Sequence, residues 1–130
     1  MTKIIVFLKF IFYLSLVFLI VLSLYPGSLL GLFFYQDLSR QPNLIENPFG
    51  TSINHFFSYF LVSILGFFLH KHNINFKRLV FLMLLLSITL ELLQFLVPIR
   101  AFQFYDLIGN ILGVLAAYFL VKIYINLNKI

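Results

Sequence analysis

Glu91, Gln94, Arg100, Asp106 and Asn110 are polar or ionisable residues set among apolar runs, and His55 stands near the start of another such run. A carboxyl group can act as a general acid or base, an imidazole can assist proton transfer, and a guanidinium can neutralise a carboxylate. At bilayer depth each charged side chain costs roughly 2.5 to 3.5 kcal/mol, so it normally faces a protein interior or a wet cavity and has a partner there. Glu91, Asp106 and Arg100 are therefore the first candidates for a site.

Spacing decides which of these groups can meet. Ser87, Glu91 and Gln94 are related by i, i+4 and i+7, one face of a helix. Asp106, Asn110, Gly113 and Ala117 repeat that spacing over three turns, and Gly109-x-x-x-Gly113 adds the small-residue pattern that lets membrane helices approach closely. Asn54, His55, Ser58 and Tyr59 cluster at the start of an earlier apolar run, with Gly66 further along it. Glu91 lies six residues before Val97, roughly 9 Å along a helix. His55, Glu91, Gln94, Arg100, Asp106 and Asn110 can thus converge near one membrane surface, Arg100 reaching down from a connecting loop. Zinc on His55, Glu91 and Asp106 is chemically possible, but the ligands would come from three helices with no local spacing signature, so no metal or cofactor is expected. His70 and His72 are two apart and share no helix face, and they read as solvated.

The elements that must position these residues follow from composition. Of 130 residues 62% are hydrophobic and 10% charged, with 18 Phe and no Trp, far too little charge for a soluble domain. The absence of Cys excludes disulfides, thiolate metal sites and a cysteine nucleophile. Four apolar runs, residues 4–25, 53–69, 79–97 and 104–121, are long enough or nearly so to span about 30 Å as helices. The expected fold is all-α, an integral membrane bundle of four transmembrane helices forming a single domain over residues 1–130. The first run exceeds a signal-peptide core and ends in Leu24-Tyr25-Pro26-Gly27 with no small-x-small cleavage site, so it reads as a retained span. Lys9 inside it can snorkel to the near interface.

With four spans, Lys3, Lys9, Lys71, Lys77, Arg78, Lys122 and Lys129 share one side, and only Arg40 and Arg100 lie on the other. That asymmetry places both termini in the cytoplasm and all four acids, Asp37, Glu46, Glu91 and Asp106, in the outer half. The net charge of +5 is then a topology signal, with membrane lipids as partners and no nucleic-acid role. Pro26, Gly27, Gly31, Pro42, Pro48 and Gly50 break the first outer loop into turns, within which Leu29 to Leu38 can lie along the interface as a short helix. The loop from Pro98 to Gln103 is short, so the helices it joins are antiparallel neighbours.

These residues resemble the VanZ-like membrane proteins, whose namesake is associated with resistance to teicoplanin. The resemblance rests on His55-Phe-Phe-Ser-Tyr59-Phe with Gly66, and on Glu91-x-x-Gln94, Pro98-x-Arg100 and Asp106-x-x-x-Asn110-x-x-Gly113. Leu22-Ser-Leu-Tyr-Pro26-Gly27 also looks like the family, and most of the chain is covered. One departure stands out: family members often have Asp-Lys where this chain has Thr51 and Ser52. The resemblance implies a multi-pass protein of the bacterial cytoplasmic membrane acting in the cell envelope and in glycopeptide tolerance. It implies no settled mechanism, and the chain contains no Gly-rich phosphate loop, GxSxG elbow or HExxH.

Three readings remain open. Glu91, Arg100, Asp106 and Asn110 form a buried network that only fixes helix packing. Alternatively, an outward polar pocket formed by His55, Tyr59, Glu91, Gln94, Arg100, Asp106 and Asn110 holds an amphipathic envelope molecule, either a lipid-linked cell-wall precursor or a lipoglycopeptide. In the third reading the chain is an intramembrane acid/base enzyme with Glu91 or Asp106 as acid or base and His55 assisting. The first two readings can coexist, and a role without catalysis is expected.

Overall fold

A computed structural model of the chain describes residues 2–42 and 52–128. Glu46, Pro48, Gly50, Thr51 and Lys129, which figure in the sequence argument, lie outside the described residues. The described residues form five helices and no strand: α1 (Thr2–Leu24), α2 (Leu29–Tyr35), α3 (Ser52–His70), α4 (Phe76–Gln94) and α5 (Phe104–Leu127).

Helix ends follow local chemistry more closely than hydropathy. α1 stops where Pro26 and Gly27 interrupt the run, Gly27 having φ +85° with Leu38 packed against it. The short α2 is capped at its start by Ser28, whose Oγ accepts the Gly31 N–H at 2.9 Å. It closes on Gln36 in the left-handed region, and it is shorter than the stretch to Leu38 that the sequence suggested. α4 lies about one turn earlier than the apolar run 79–97. Phe76, Lys77 and Arg78 join its first turn, and its end is set by Pro98, which disfavours helical geometry in the residue before it. Phe95, Leu96 and Val97 instead donate to carbonyls three residues back, and Ile99 turns through φ +66°. α5 runs past residue 121 to Leu127, because Lys122 ends the apolar run without ending helix propensity.

α1, α3 and α5 are long and apolar enough to cross a membrane. α4 matches α3 in length at 19 residues but carries Lys77, Arg78 and Glu91. The distribution of side chains is the inverse of a soluble protein: Glu91, Asp106, Asn110, Ser63 and Ser87 are buried, while Phe7, Phe10, Leu14, Val17 and Phe18 of α1 are exposed. This is a helical membrane protein.

The broadest helix contact is between α3 and α5, with α4 packed on α5 and α1 reaching α3 and α4. A methyl group added at Gly109 would meet the Ser52 carbonyl, and one at Gly113 would meet the Phe56 carbonyl and the Tyr59 side chain. Both glycines therefore let the backbones of α3 and α5 touch. Ala117 continues the stripe, fully buried, beside Val114 and Val121. Gly66 of α3 lies under the ring of Phe12, seating α1 on α3.

Candidate functional site

The close approach of α3 and α5 brings their first turns together, with the last turn of α4 beside them. Glu91 projects from α4 with no exposed surface. Its Oε1 accepts the backbone N–H of Gln103, the residue that opens α5, at 3.2 Å, and its Oε2 accepts the Asn110 side-chain amide at 3.1 Å. The amide nitrogen of Asn110 is thereby committed, so its carbonyl oxygen faces His55 Nδ1 at 3.0 Å. Assigned from this network, Nδ1–H is the donor.

The other face of the imidazole meets Asp106, with Nε2 3.4 Å from Oδ2. Asp106 Oδ1 in turn accepts the Ser52 hydroxyl at 2.7 Å. His55 Nδ1 is 4.0 Å from Glu91 Oε2, so the imidazole stands between the two carboxyl groups. One chain of contacts thus runs from Gln103 through Glu91, Asn110, His55 and Asp106 to Ser52, passing between α4, α5 and α3. Asp106 lies in the first turn of α5.

Arg100 is placed differently from the direct pairing with an acid that its position between Glu91 and Asp106 suggested. Its Nη2 donates to the Leu22 carbonyl at 2.8 Å and its Nε to the Tyr25 carbonyl at 3.3 Å, which caps the C-terminal end of α1. Among the described residues it makes no ion pair within 4.0 Å; those present belong to His55. Burial pulls its pKa below the ordinary arginine value, and the charges of Glu91 and Asp106 oppose that pull from a distance. Tyr59 is buried in the core, and its hydroxyl makes no hydrogen bond of standard geometry among the described residues, although Ser23 lies close enough to act on it.

Gln94, almost fully buried, and Arg100 face a cavity of about 80 Å³ together with Ser23, Asn54, His55 and Ser58. Three of the five guanidinium N–H groups of Arg100 have no protein acceptor among the described residues. Asn54 is anchored by its amide to the Pro42 carbonyl at 3.0 Å, and Ser58 bonds back to the Asn54 carbonyl at 2.8 Å. The cavity therefore joins a polar wall backed by the carboxyl network to apolar flanks from α1 and the α2 region. His55, Glu91 and Asp106 do not form a metal-holding group among the described residues, since the imidazole and carboxyl atoms are turned toward protein partners.

Sequence reasoning missed Ser52 as a network member, treating it only as a departure from the family pattern. Its position three residues before His55, on the same helix face, was the available signal. The Gln103 backbone N–H and the Leu22 and Tyr25 carbonyls carry no side-chain signal at all.

No curated protein and no solved structure matches the chain. The VanZ/LLP1 family model matches residues 4–125, and the chain belongs to that family.

Proposed function

We propose that this protein is a four-span component of the bacterial cytoplasmic membrane whose outward cavity binds the polar head of an amphipathic or lipid-linked envelope molecule, contributing to teicoplanin tolerance. The observation that carries the reading is the cavity itself, in which Arg100 offers spare N–H donors beside Asn54, Ser58 and Gln94. About 80 Å³ accommodates a few waters or one compact anionic headgroup, and is too small for a glycopeptide core. The hydrocarbon part of the ligand then lies outside, against the apolar helix faces. The fourth span is α4: Lys77 and Arg78 sit in its first turn, where they reach the interface, and Glu91 is internally satisfied. The excess of Lys and Arg on the opposite side puts both termini in the cytoplasm.

The test is thermal unfolding of the detergent-solubilised protein with a polyprenyl phosphate and with the uncharged polyprenol of equal length. Binding stabilises the folded protein by about 2.7 kcal/mol at a hundredfold excess over Kd. The phosphate alone should raise Tm, and Asn54→Ala with Ser58→Ala, which leaves the Arg100 donors in place, should reduce the rise. Equal effects of the two lipids, or none, overturn headgroup binding. Expression in a susceptible Gram-positive host should raise tolerance to teicoplanin, which has an acyl tail, more than to vancomycin; no change for either drug removes glycopeptide tolerance from the function.

A second reading has one observation in its favour: His55 lines the cavity and its imidazole is oriented by Asn110 and Asp106, an arrangement suited to proton transfer. A mass change in a bound lipid-linked substrate, lost in His55→Gln with binding retained, would identify an intramembrane enzyme. Saturable binding with unaltered lipid leaves a binding protein.

A further inference from the structure

A second cavity opens at the opposite end of the bundle, between α1 and α4, and nothing in the polar network or its function uses it. Its volume is about 580 Å³, within the range of roughly 300 to 1,000 Å³ typical of small-ligand sites. Tyr13 and Leu16 form one wall and Leu82 and Leu86 the other, while Arg78, His70 and Asn73 lie at its mouth. It arises because Phe12 sits against Gly66, which holds α1 to α3 and leaves its flank apart from the start of α4.

Two features specify the occupant. The first is charge: the described acids, Asp37, Glu91 and Asp106, are all at the other end of the bundle, whereas the mouth of this groove carries Arg78 with His70 beside it and Lys77 next in sequence. Arg78 makes no ion pair within 4.0 Å among the described residues, so its charge is available to an external anion. The second is length. From Arg78 to Leu86 the helix rises about 12 Å at 1.5 Å per residue, close to the roughly 15 Å that is half of the hydrocarbon thickness. The groove therefore matches the chain of a lipid in one leaflet, entered from a surface where an anion is favoured.

We infer that the α1–α4 groove binds an anionic glycerophospholipid, one acyl chain lying between Tyr13 and Leu82 and the phosphate held by Arg78. The inference is independent of the cavity at the other end.

Because the native chain has no Trp, Tyr13→Trp introduces a single indole in the groove, and Leu14→Trp places one about 100° further around α1, exposed and outside the groove lining, at nearly the same depth. Each variant of the full chain is reconstituted in dioleoylphosphatidylcholine vesicles containing a minority of phosphatidylglycerol, with bromine on the acyl chains of one lipid or the other to quench the indole. In Tyr13→Trp the quenching should show about fivefold preference for phosphatidylglycerol, the equivalent of about 1 kcal/mol for one basic side chain at a membrane surface. Leu14→Trp should show none. Adding Arg78→Gln, a change at an exposed position, should bring the Tyr13→Trp preference to parity, and Arg78→Lys should retain most of it. Equal preference at both indoles, or a preference unchanged by Arg78→Gln, overturns the site in favour of ordinary boundary lipid. An indole at position 13 shielded from both brominated lipids overturns it in favour of a second copy of the chain seated in the groove.

Discussion

Arg100 donates to the Leu22 carbonyl at 2.8 Å, across 78 residues of sequence, and so ties the loop after α4 to the end of α1. The last carbonyls of a helix lack intrahelical partners and carry the negative end of its dipole, so a guanidinium there satisfies both needs. The residue that the sequence offers as a counter-ion for Glu91 and Asp106 instead lines the wall of the cavity.

Arg100→Ala should lower the stability of the detergent-solubilised protein by about 1.5 to 3 kcal/mol, the range for hydrogen bonds to a charged group. Arg100→Lys should recover only part, because a single ammonium nitrogen cannot occupy both positions from which Nε and Nη2 reach the Tyr25 and Leu22 carbonyls. A double-mutant cycle with Glu91→Gln should give a coupling under about 0.5 kcal/mol, as for residues that share no contact. A larger coupling in thermal melts would indicate direct pairing.

Asn110 joins Glu91 to His55, so Asn110→Ala leaves a fully buried carboxyl group short of a donor and should cost about 1 to 3 kcal/mol. The Glu91→Gln and Asn110→Ala pair should cost less than the sum of the two, because no carboxyl group is then left to satisfy. Additive losses in the same melting assay would show that the contact contributes nothing.

Gly113 faces the α3 backbone at Phe56, and even a methyl group there must push the helices apart. Gly113→Ala should cost about 1 to 3 kcal/mol, as overpacking does, and Gly113→Leu should prevent α3 and α5 from closing. The neighbouring Leu112 is half-exposed toward the surrounding lipid, so Leu112→Ala should shift the melting temperature far less.

Single cysteines at Ser39 and Asn73, both exposed in a chain without native Cys, should report topology to an impermeant thiol reagent in intact cells. Ser39 should label and Asn73 should not. Labelling of Asn73 alone would turn the bundle over and put the polar cavity on the cytoplasmic side.

What the sequence by itself determined was periodic or compositional. Hydropathy marked the long apolar helices, and i, i+4, i+7 spacing put Glu91 with Gln94 and Asp106 with Asn110 on common faces, because helix geometry alone relates such residues. Gly109-x-x-x-Gly113 announced a close helix contact for the same reason. Which helix that stripe would meet was decided by the tertiary structure, which laid it on Ser52 and Phe56 of α3 and so brought His55 between two carboxyl groups 36 and 51 residues away in sequence. Helix limits were also misjudged by hydropathy: Pro98 ends α4 early and Lys122 does not end α5, since backbone geometry and propensity, not apolarity, terminate a helix. The destination of Arg100 was least legible, because its acceptors are main-chain carbonyls that every residue possesses and that only the packing of α1 against the α4–α5 loop makes available.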